Sequence, residues 1–526
     1  MSARDPLLSL LQPLWLASLV PEALRFGRAL RNPAATQRGL LLRRLADNAR
    51  SAYGSEHRFA TVTSVADFQR RVPITRYDAL APYIARIAAG EDNVLSEAPV
   101  QLLERSGGST GSATKLIPFT APLLADIARA TNPWLADLYR RFPKMIGRPA
   151  YWSLSPVAQG DKRTSGGVPI GIEDDTAYFG PVRRFVIARS LAVPGCVARA
   201  PDIARWRHET LVHLVGCERL GFISVWSPTF LVVLLEALAA APDAVLAALP
   251  KGRARVVAAA LKERSGQAIW PDLQAISCWA DGPSAAFVPA LGAWFPDVPI
   301  APKGLFATEG VVSIPLGEGD PTLAITSHFL EFIDLATPSR RPLLAHELRP
   351  GADYSPLLTT GGGLYRYHLA DIVRCTGPLQ IRFTGKLDQV SDLTGEKLHA
   401  AQVQHALDEV RRALGVHWGV AFVAPVVPLD RQPYYCLFVA ADRRDAPTDS
   451  VLVAALEVRL RESHAYRYSR DLGQLGPLRV QRVANLAARS LDVLVAHGQR
   501  LGDIKPSVLD RRPIWSASFG PGEPSE

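Results

Sequence analysis

Between Val100 and Val390 the chain alternates short runs rich in β-branched and aromatic residues with Ala/Leu-rich stretches of helical periodicity. The extended runs fall at Ala150–Leu154, Gly221–Val225, Ala275–Trp279, Phe329–Ile333 and Leu364–Tyr367. A chain that switches repeatedly between a two-residue and a 3.6-residue period buries both kinds of element by layering helices on a sheet, so an α/β fold is expected. At 526 residues it is too long for one ordinary core. The pattern predicts a large N-terminal domain of several subdomains over 1–385 and a hinge at 386–395, where Gly385-Lys386-Leu387-Asp388 lies. A small, mobile α/β domain follows at 396–510, and a Pro-, Gly- and Ser-containing tail at 511–526 is expected to fray. Within the small domain the periodicity predicts helices at Glu396–Ala413 and Ser450–Ser463. Strands are predicted at Gly419–Val426, Tyr434–Ala441 and Leu478–Val483.

Several function classes are excluded. The net charge of +9 comes from basic residues spread along the chain, without a dense run or aromatic interleaving, so no nucleic-acid partner is expected. Five cysteines stand apart with no C-x-x-C spacing, as in a reduced cytoplasmic protein. The apolar stretch Phe230–Pro250 is interrupted by Glu236, Pro242 and Asp243, and Pro6–Val20 reads as an amphipathic helix. No membrane span or signal peptide is expected.

Chemistry concentrates in Arg105–Lys115, which reads R-S-G-G-S-T-G-S-A-T-K. Glycines let backbone N–H groups converge, hydroxyls add donors without bulk, and the lysine adds charge, a combination suited to phosphate. A Walker loop ends in Gly-Lys-Ser/Thr, whereas Lys115 stands four residues beyond Gly111. Gly107–Gly111 also spells G-x-S-x-G, which would make Ser109 a hydrolase nucleophile if a helix began directly after it. A ligand-free Gly/Ser loop is the bland alternative. Leu116–Phe119 reads as extended and Pro122–Leu138 as helical.

Downstream, Thr308-Glu309 offers a carboxylate for Mg²⁺, an ion that takes few protein carboxylates and fills its shell with phosphate oxygens. The run Thr359-Thr360-Gly361-Gly362-Gly363-Leu364-Tyr365-Arg366-Tyr367 leads to Asp371, an acid suited to ribose hydroxyls or, alternatively, to capping a helix. Only nine lysines occur, at 115, 144, 162, 251, 262, 303, 386, 397 and 505. Trp226, Trp279 and Phe287 lie where an acyl pocket or a core would use them.

In this order the motifs resemble those of adenylate-forming enzymes, the superfamily of acyl-CoA synthetases, nonribosomal adenylation domains and luciferases. Within it the chain is most similar to the Gretchen Hagen family of auxin-responsive acyl acid amido synthetases. The resemblance runs from about residue 35 to 510 and includes Val72–Tyr77, Tyr83–Glu91, the loop with Lys115-Leu116-Ile117-Pro118-Phe119-Thr120, Leu364–Asp371 and Gly476-Pro477-Leu478. It implies an N-terminal adenylation domain and ATP and Mg²⁺ as cofactors. A carboxylic acid would be turned into acyl-AMP with release of pyrophosphate, then passed to an amine, such as an amino acid. A thiol acceptor, or a degenerate binding module, is the alternative. By position, Ser106, Gly107, Gly108, Ser109, Thr110 and Gly111 would hold the ATP phosphates and Thr308 the α-phosphate. Glu309 would hold Mg²⁺, and Asp371 and Lys386 the ribose. Lys397 and Lys505 would be brought in by the small domain. Two departures stand out: Leu305 where a tyrosine often stacks on adenine, and Lys386 in place of an arginine.

Overall fold

The computed structural model describes residues 6–106, 115–153, 163–171, 188–338, 340–387, 389–416, 419–428, 431–441, 447–499, 504 and 507–520. Helices and strands alternate along it, and the α/β class expected from the periodicity is what forms. The chain divides into two compact units, one of Met1–Trp226, Ala241–Trp279 and Asp297–Phe383, the other of Ser227–Ala240, Ala280–Pro296 and Thr384–Glu526. No helix among the described residues is long and apolar enough to cross a membrane.

The first unit holds three sheets that matter for function. Ala150–Trp152, Phe222–Ser224, Ala275–Cys278 and Ile300–Pro302 form a four-stranded parallel sheet in that order. Their short, largely apolar and mostly buried runs suit strands covered on both faces. In such sheets the carboxyl ends carry the ligand-facing loops, and here those ends are Trp152, Ser224, Cys278 and Pro302. An eight-stranded sheet is built around Phe329–Asp334 and Asp353–Thr359, paired antiparallel from Phe329↔Thr359 to Asp334↔Tyr354. The third is a hairpin of Val100–Ser106 and Lys115–Thr120. The helix Ala121–Arg141 starts where Thr120 caps it by accepting the N–H of Leu123. It runs beside the long N-terminal helix Pro6–Ala29, with Trp15 edge-on to Tyr139.

Asp126 on that helix is the unit's buried polar centre. Its carboxylate accepts two hydrogen bonds from Arg44 Nη2, at 2.7 and 2.6 Å, and one from the Gly361 N–H at 2.8 Å, and it also pairs with Arg129. Burial alone would push its pKa up, but His328, Arg44 and Arg129 together hold it below the usual value. Asp126→Asn keeps the shape and removes the charge opposite the buried Arg44. The expected cost is about 2 kcal/mol, seen as a fall of several degrees in apparent Tm.

The second unit contains the three-stranded sheet Ala421–Val426, Tyr434–Ala440 and Arg479–Val483, antiparallel then parallel. Helices Ala400–Leu414 and Asp449–Leu460 supply Leu407, Val410, Leu452 and Leu456 to its core. The helix expected from Glu396 begins four residues later. The Glu396 carboxylate accepts the N–H groups of Leu393 and Thr394, both at 2.8 Å, and the Tyr435 hydroxyl, which holds 393–397 as a turn. At the other end, Trp515 is 2 % exposed and packs on Phe422, so the helix Trp515–Phe519 is anchored where fraying was expected.

Candidate active site

The glycine-rich loop is closed by strands on both sides. Ser106 pairs with Lys115, Arg105 with Leu116 and Glu104 with Ile117, so the strands before and after the glycine-rich segment are hydrogen-bonded neighbours. Gly107, Gly108, Ser109, Thr110, Gly111 and Lys505 lie outside the described residues, as do the side chains of Ser106 and Phe287. The chain leaves the loop as the strand Lys115–Thr120, and the helix starts only at Ala121. A nucleophile elbow requires the helix at once, and the Ser109 hydrolase reading lacks that context.

Beside the hairpin stands Tyr77, whose hydroxyl accepts the Leu116 N–H at 2.9 Å and whose ring lies 5.7 Å from Lys115 Nζ. Thr75 is bridged to the Tyr365–His368 segment: its N–H donates to Arg366 O and its carbonyl accepts from the His368 N–H. That bridge brings in Tyr367, whose hydroxyl donates to Glu309 Oε1 at 3.5 Å. The phenol's pKa is pushed far up, first by burial, then by the Glu309 carboxylate and Tyr77. The Thr75 bridge thus ties the segment that leads into Tyr77, beside the hairpin, to the segment that carries Tyr367, beside Glu309.

Thr308 and Glu309 are the two turn residues of a hairpin in which Phe306–Ala307 pairs with Gly310–Val311. Glu309 is 8 % exposed. Behind the turn lies His328, fully buried, and a Cβ on Gly310 would come within 2.7 Å of its Nε2. Only glycine fits there.

An aromatic cluster sits at the carboxyl ends of the parallel strands. Trp226 is 5.5 Å from Trp279 and 6.3 Å from Phe306, and Trp134 is 5.7 Å from Phe306. At its centre is Lys303, one residue past the last strand and 5 % exposed. Its Nζ donates to Ser224 Oγ at 2.8 Å and lies 5.1 Å from the Trp134 ring, 5.1 Å from Trp226 and 5.9 Å from Trp152. Burial pulls its pKa down to about 7, while the adjacent Cys278 acts in the opposite sense. Such a shift corresponds to about 5 kcal/mol of penalty on the charged form. The three indole faces act in the same sense as Cys278, favouring the charged form.

Asp371 is buried and opens the strand Asp371–Gly377, directly after Ala370 in a left-handed conformation. It caps no helix. Its carbonyl accepts the Ser355 hydroxyl at 2.7 Å. The strand expected at Leu364–Tyr367 is reduced to Tyr367–His368, because Gly363 and Arg366, both left-handed, bend the chain. Leu305 packs against the unit's main core, and its N–H donates to Ser313 Oγ at 3.0 Å. In the second unit Lys386 ends the strand Gln380–Lys386. Lys397 is exposed and left-handed on the turn that Glu396 organises.

The structure thus brings Glu309 next to Tyr367 and sets Trp226 against Phe306, which leads into the Thr308–Glu309 turn, with Trp279 beside Trp226. Lys303, Trp134, Trp152 and Tyr77 are members of this assembly that sequence reasoning did not select. The one local signal for Lys303 is a rare lysine six residues before Glu309.

The chain is similar to known proteins of one family. The GH3 family N-terminal domain matches residues 23–256 and the GH3 family central domain residues 321–386. A probable indole-3-acetic acid-amido synthetase of Oryza sativa subsp. japonica, GH3.12, is 26 % identical over 471 residues, covering 74 % of this chain and 75 % of its own. The indole-3-acetic acid-amido synthetase GH3.3 of Arabidopsis thaliana is 22 % identical, over 94 % of this chain and 92 % of its own. Among solved structures, GH3.15 acyl acid amido synthetase in complex with 2,4-DB superposes with a TM-score of 0.79 at 18 % identity, covering 93 % of both chains. The matched domains together take in more than half of the sequence, and the chain belongs to the GH3 family.

Proposed function

We propose that the protein is an ATP-dependent, AMP-forming acyl acid amido synthetase. In the first step a substrate carboxylate oxygen attacks the α-phosphorus of ATP, and the bond to the β-phosphate bridging oxygen breaks. Acyl-AMP and pyrophosphate result. In the second an amine, such as that of an amino acid, attacks the acyl carbonyl, forming an amide and releasing AMP with loss of a proton. The observation that carries the reading is the Thr75 backbone bridge, which ties the Tyr77 segment beside the hairpin to the Tyr367 segment beside Glu309. Family membership and the names of its relatives support it.

Within this reading Ser106 and Gly107–Gly111 receive the triphosphate, with Lys115 adding charge at the loop's base. Thr308 meets the α-phosphate, and Tyr367 orients the Glu309 carboxylate. Asp371 and Lys386 serve the ribose, and Trp226, Trp279 and Phe287 border the acyl group. Lys397 and Lys505 act from the second unit, with 386–395 as the hinge. Among the described residues no group of three or more His, Cys, Asp or Glu side chains is set to hold a metal. A single carboxylate together with nucleotide phosphates suits Mg²⁺, which keeps few protein ligands. When bound there, the ion would neutralise phosphate charge. All five cysteines are unpaired, and we assign the protein to the cytoplasm.

The test is pyrophosphate release from Mg-ATP with a panel of aromatic and aliphatic carboxylic acids, with hydroxylamine trapping acyl-AMP as hydroxamate. Acid-dependent pyrophosphate with hydroxamate is the expected result. Amino acids then replace hydroxylamine to give the amide. Thioester with coenzyme A and no amide would identify a thiol ligase instead, and ATP binding without turnover a binding module.

A further inference from the structure

Where part of a ring is exposed, packing fixes its angle only on the covered side, whereas a cation over the ring face adds a directional hold, because it is drawn to the negative face of the π-system. Lys303 places such a cation among three indoles. One of its N–H donors goes to Ser224 Oγ, and Nζ lies over the rings of Trp134, Trp152 and Trp226. The ammonium is itself fixed to the sheet. The Lys303 N–H donates to Cys278 O at 3.0 Å, and a Cβ on the next residue, Gly304, would fall 2.0 Å from Ser313 O.

Of the three indoles, Trp226 is the one at the open side, 36 % exposed, where apolar packing on its outer part is missing. It joins Trp279 by ring contact and by the Trp279 N–H donating to its carbonyl at 2.8 Å, and it reaches Phe306 at 6.3 Å. Phe306 leads directly into the Thr308–Glu309 turn. The segment that carries the ammonium therefore also carries the acid, and one rigid piece of chain references both the aromatic wall and the carboxylate.

We propose that Lys303 is a positioning residue for the acyl acid: its ammonium holds the Trp226 indole at the angle at which Trp226, Trp279 and Phe306 form the surface that receives the acyl group. The inference rests on the amido-synthetase reading of this site. It assigns a role to a lysine outside the phosphate and ribose contacts, and it predicts that loss of the charge affects the acid and spares the nucleotide.

The experiment compares wild type, Lys303→Met, Trp226→Leu and the double variant, with Ser224→Ala as a milder perturbation that removes only the hydroxyl acceptor. KM for the acid, KM for ATP and kcat are measured with the hydroxamate assay, alongside near-ultraviolet circular dichroism of the indoles. Lys303→Met is expected to raise the acid KM about 10-fold while ATP KM and kcat stay within about threefold. Its indole spectrum should change with apparent Tm nearly constant. In the Trp226→Leu background the same substitution should change the acid KM by less than about twofold, because the ring it acts through is gone. Ser224→Ala should give an acid-KM rise of about threefold. An equal rise in ATP KM, or the full effect persisting without Trp226, would overturn the proposal. Wild type that makes no hydroxamate with any acid would instead overturn the amido-synthetase reading. In that case the spectra still decide: Lys303→Met matching wild type in its indole band would show that the ammonium does not hold Trp226.

Discussion

Glu309→Gln is expected to lower kcat/KM for acid-dependent pyrophosphate release by about 100-fold or more while the protein stays folded. Glutamine keeps the volume and an oxygen acceptor for the Tyr367 hydroxyl, which lies 3.5 Å from Glu309 Oε1 in the native chain. What disappears is one negative charge in a site that is 8 % exposed. In such surroundings a charge acts over a shorter, less screened path than in water, so its removal is felt mainly where charge on the phosphates must be balanced. The expected signature is a raised Mg²⁺ requirement with little change in acid KM, which separates this variant from Lys303→Met. Titration of pyrophosphate release against Mg²⁺ and against the acid checks both. Activity within about threefold of wild type would remove Glu309 from the reaction.

Arg366→Met is expected to destabilise the first unit by about 3–5 kcal/mol and to lower its apparent Tm by at least about 5 °C. The guanidinium is 4 % exposed and pairs with Glu331, 1 % exposed, through Nε at 3.0 Å. Its Nη1 also donates to the carbonyls of Gln69 at 2.9 Å and Val72 at 2.7 Å. Burial already raises the Glu331 pKa, with Arg366 opposing that rise. Without the arginine, the carboxylate is left unpaired in the interior and two carbonyls lose their donor. Arg366→Met with Glu331→Leu should recover most of the stability, since an apolar pair of similar volume leaves no orphaned charge. Scanning calorimetry of the three proteins checks this. Activity should fall in the single variant as well, because the side-chain bonds of Arg366 to Gln69 O, Val72 O and Glu331 anchor the segment that carries Tyr367.

Much of the site was legible locally. The glycines and hydroxyls after Arg105, the extended Leu116–Phe119 and the helix from Pro122 are short-range features, and the hairpin and helix formed as their chemistry dictates. The same holds for Gly310 after Glu309, although the reason glycine is needed there became visible only with His328 beside it. The misplacements have local causes too. Glu396 reads as a helix former, but its carboxylate is drawn into backbone N–H groups of its own turn. Leu364–Tyr367 reads as a strand, but the left-handed Gly363 and Arg366 interrupt it. Trp515 lies in a stretch whose composition suggests fraying, and its burial depends on a ring 93 positions earlier, Phe422.

The sequence by itself determined the α/β class and the strand pattern on the two sides of the glycine-rich segment, because period, turn chemistry and residue type are properties of neighbouring residues. Only the tertiary structure decided that Tyr367 meets Glu309 across 58 positions, and that Lys303 reaches Ser224 across 79 and is enclosed by Trp134, Trp152 and Trp226. Parallel strands bring their carboxyl ends together through connections whose lengths leave no periodic trace in the chain. The burial that lowers the Lys303 pKa likewise exists only once those ends have met.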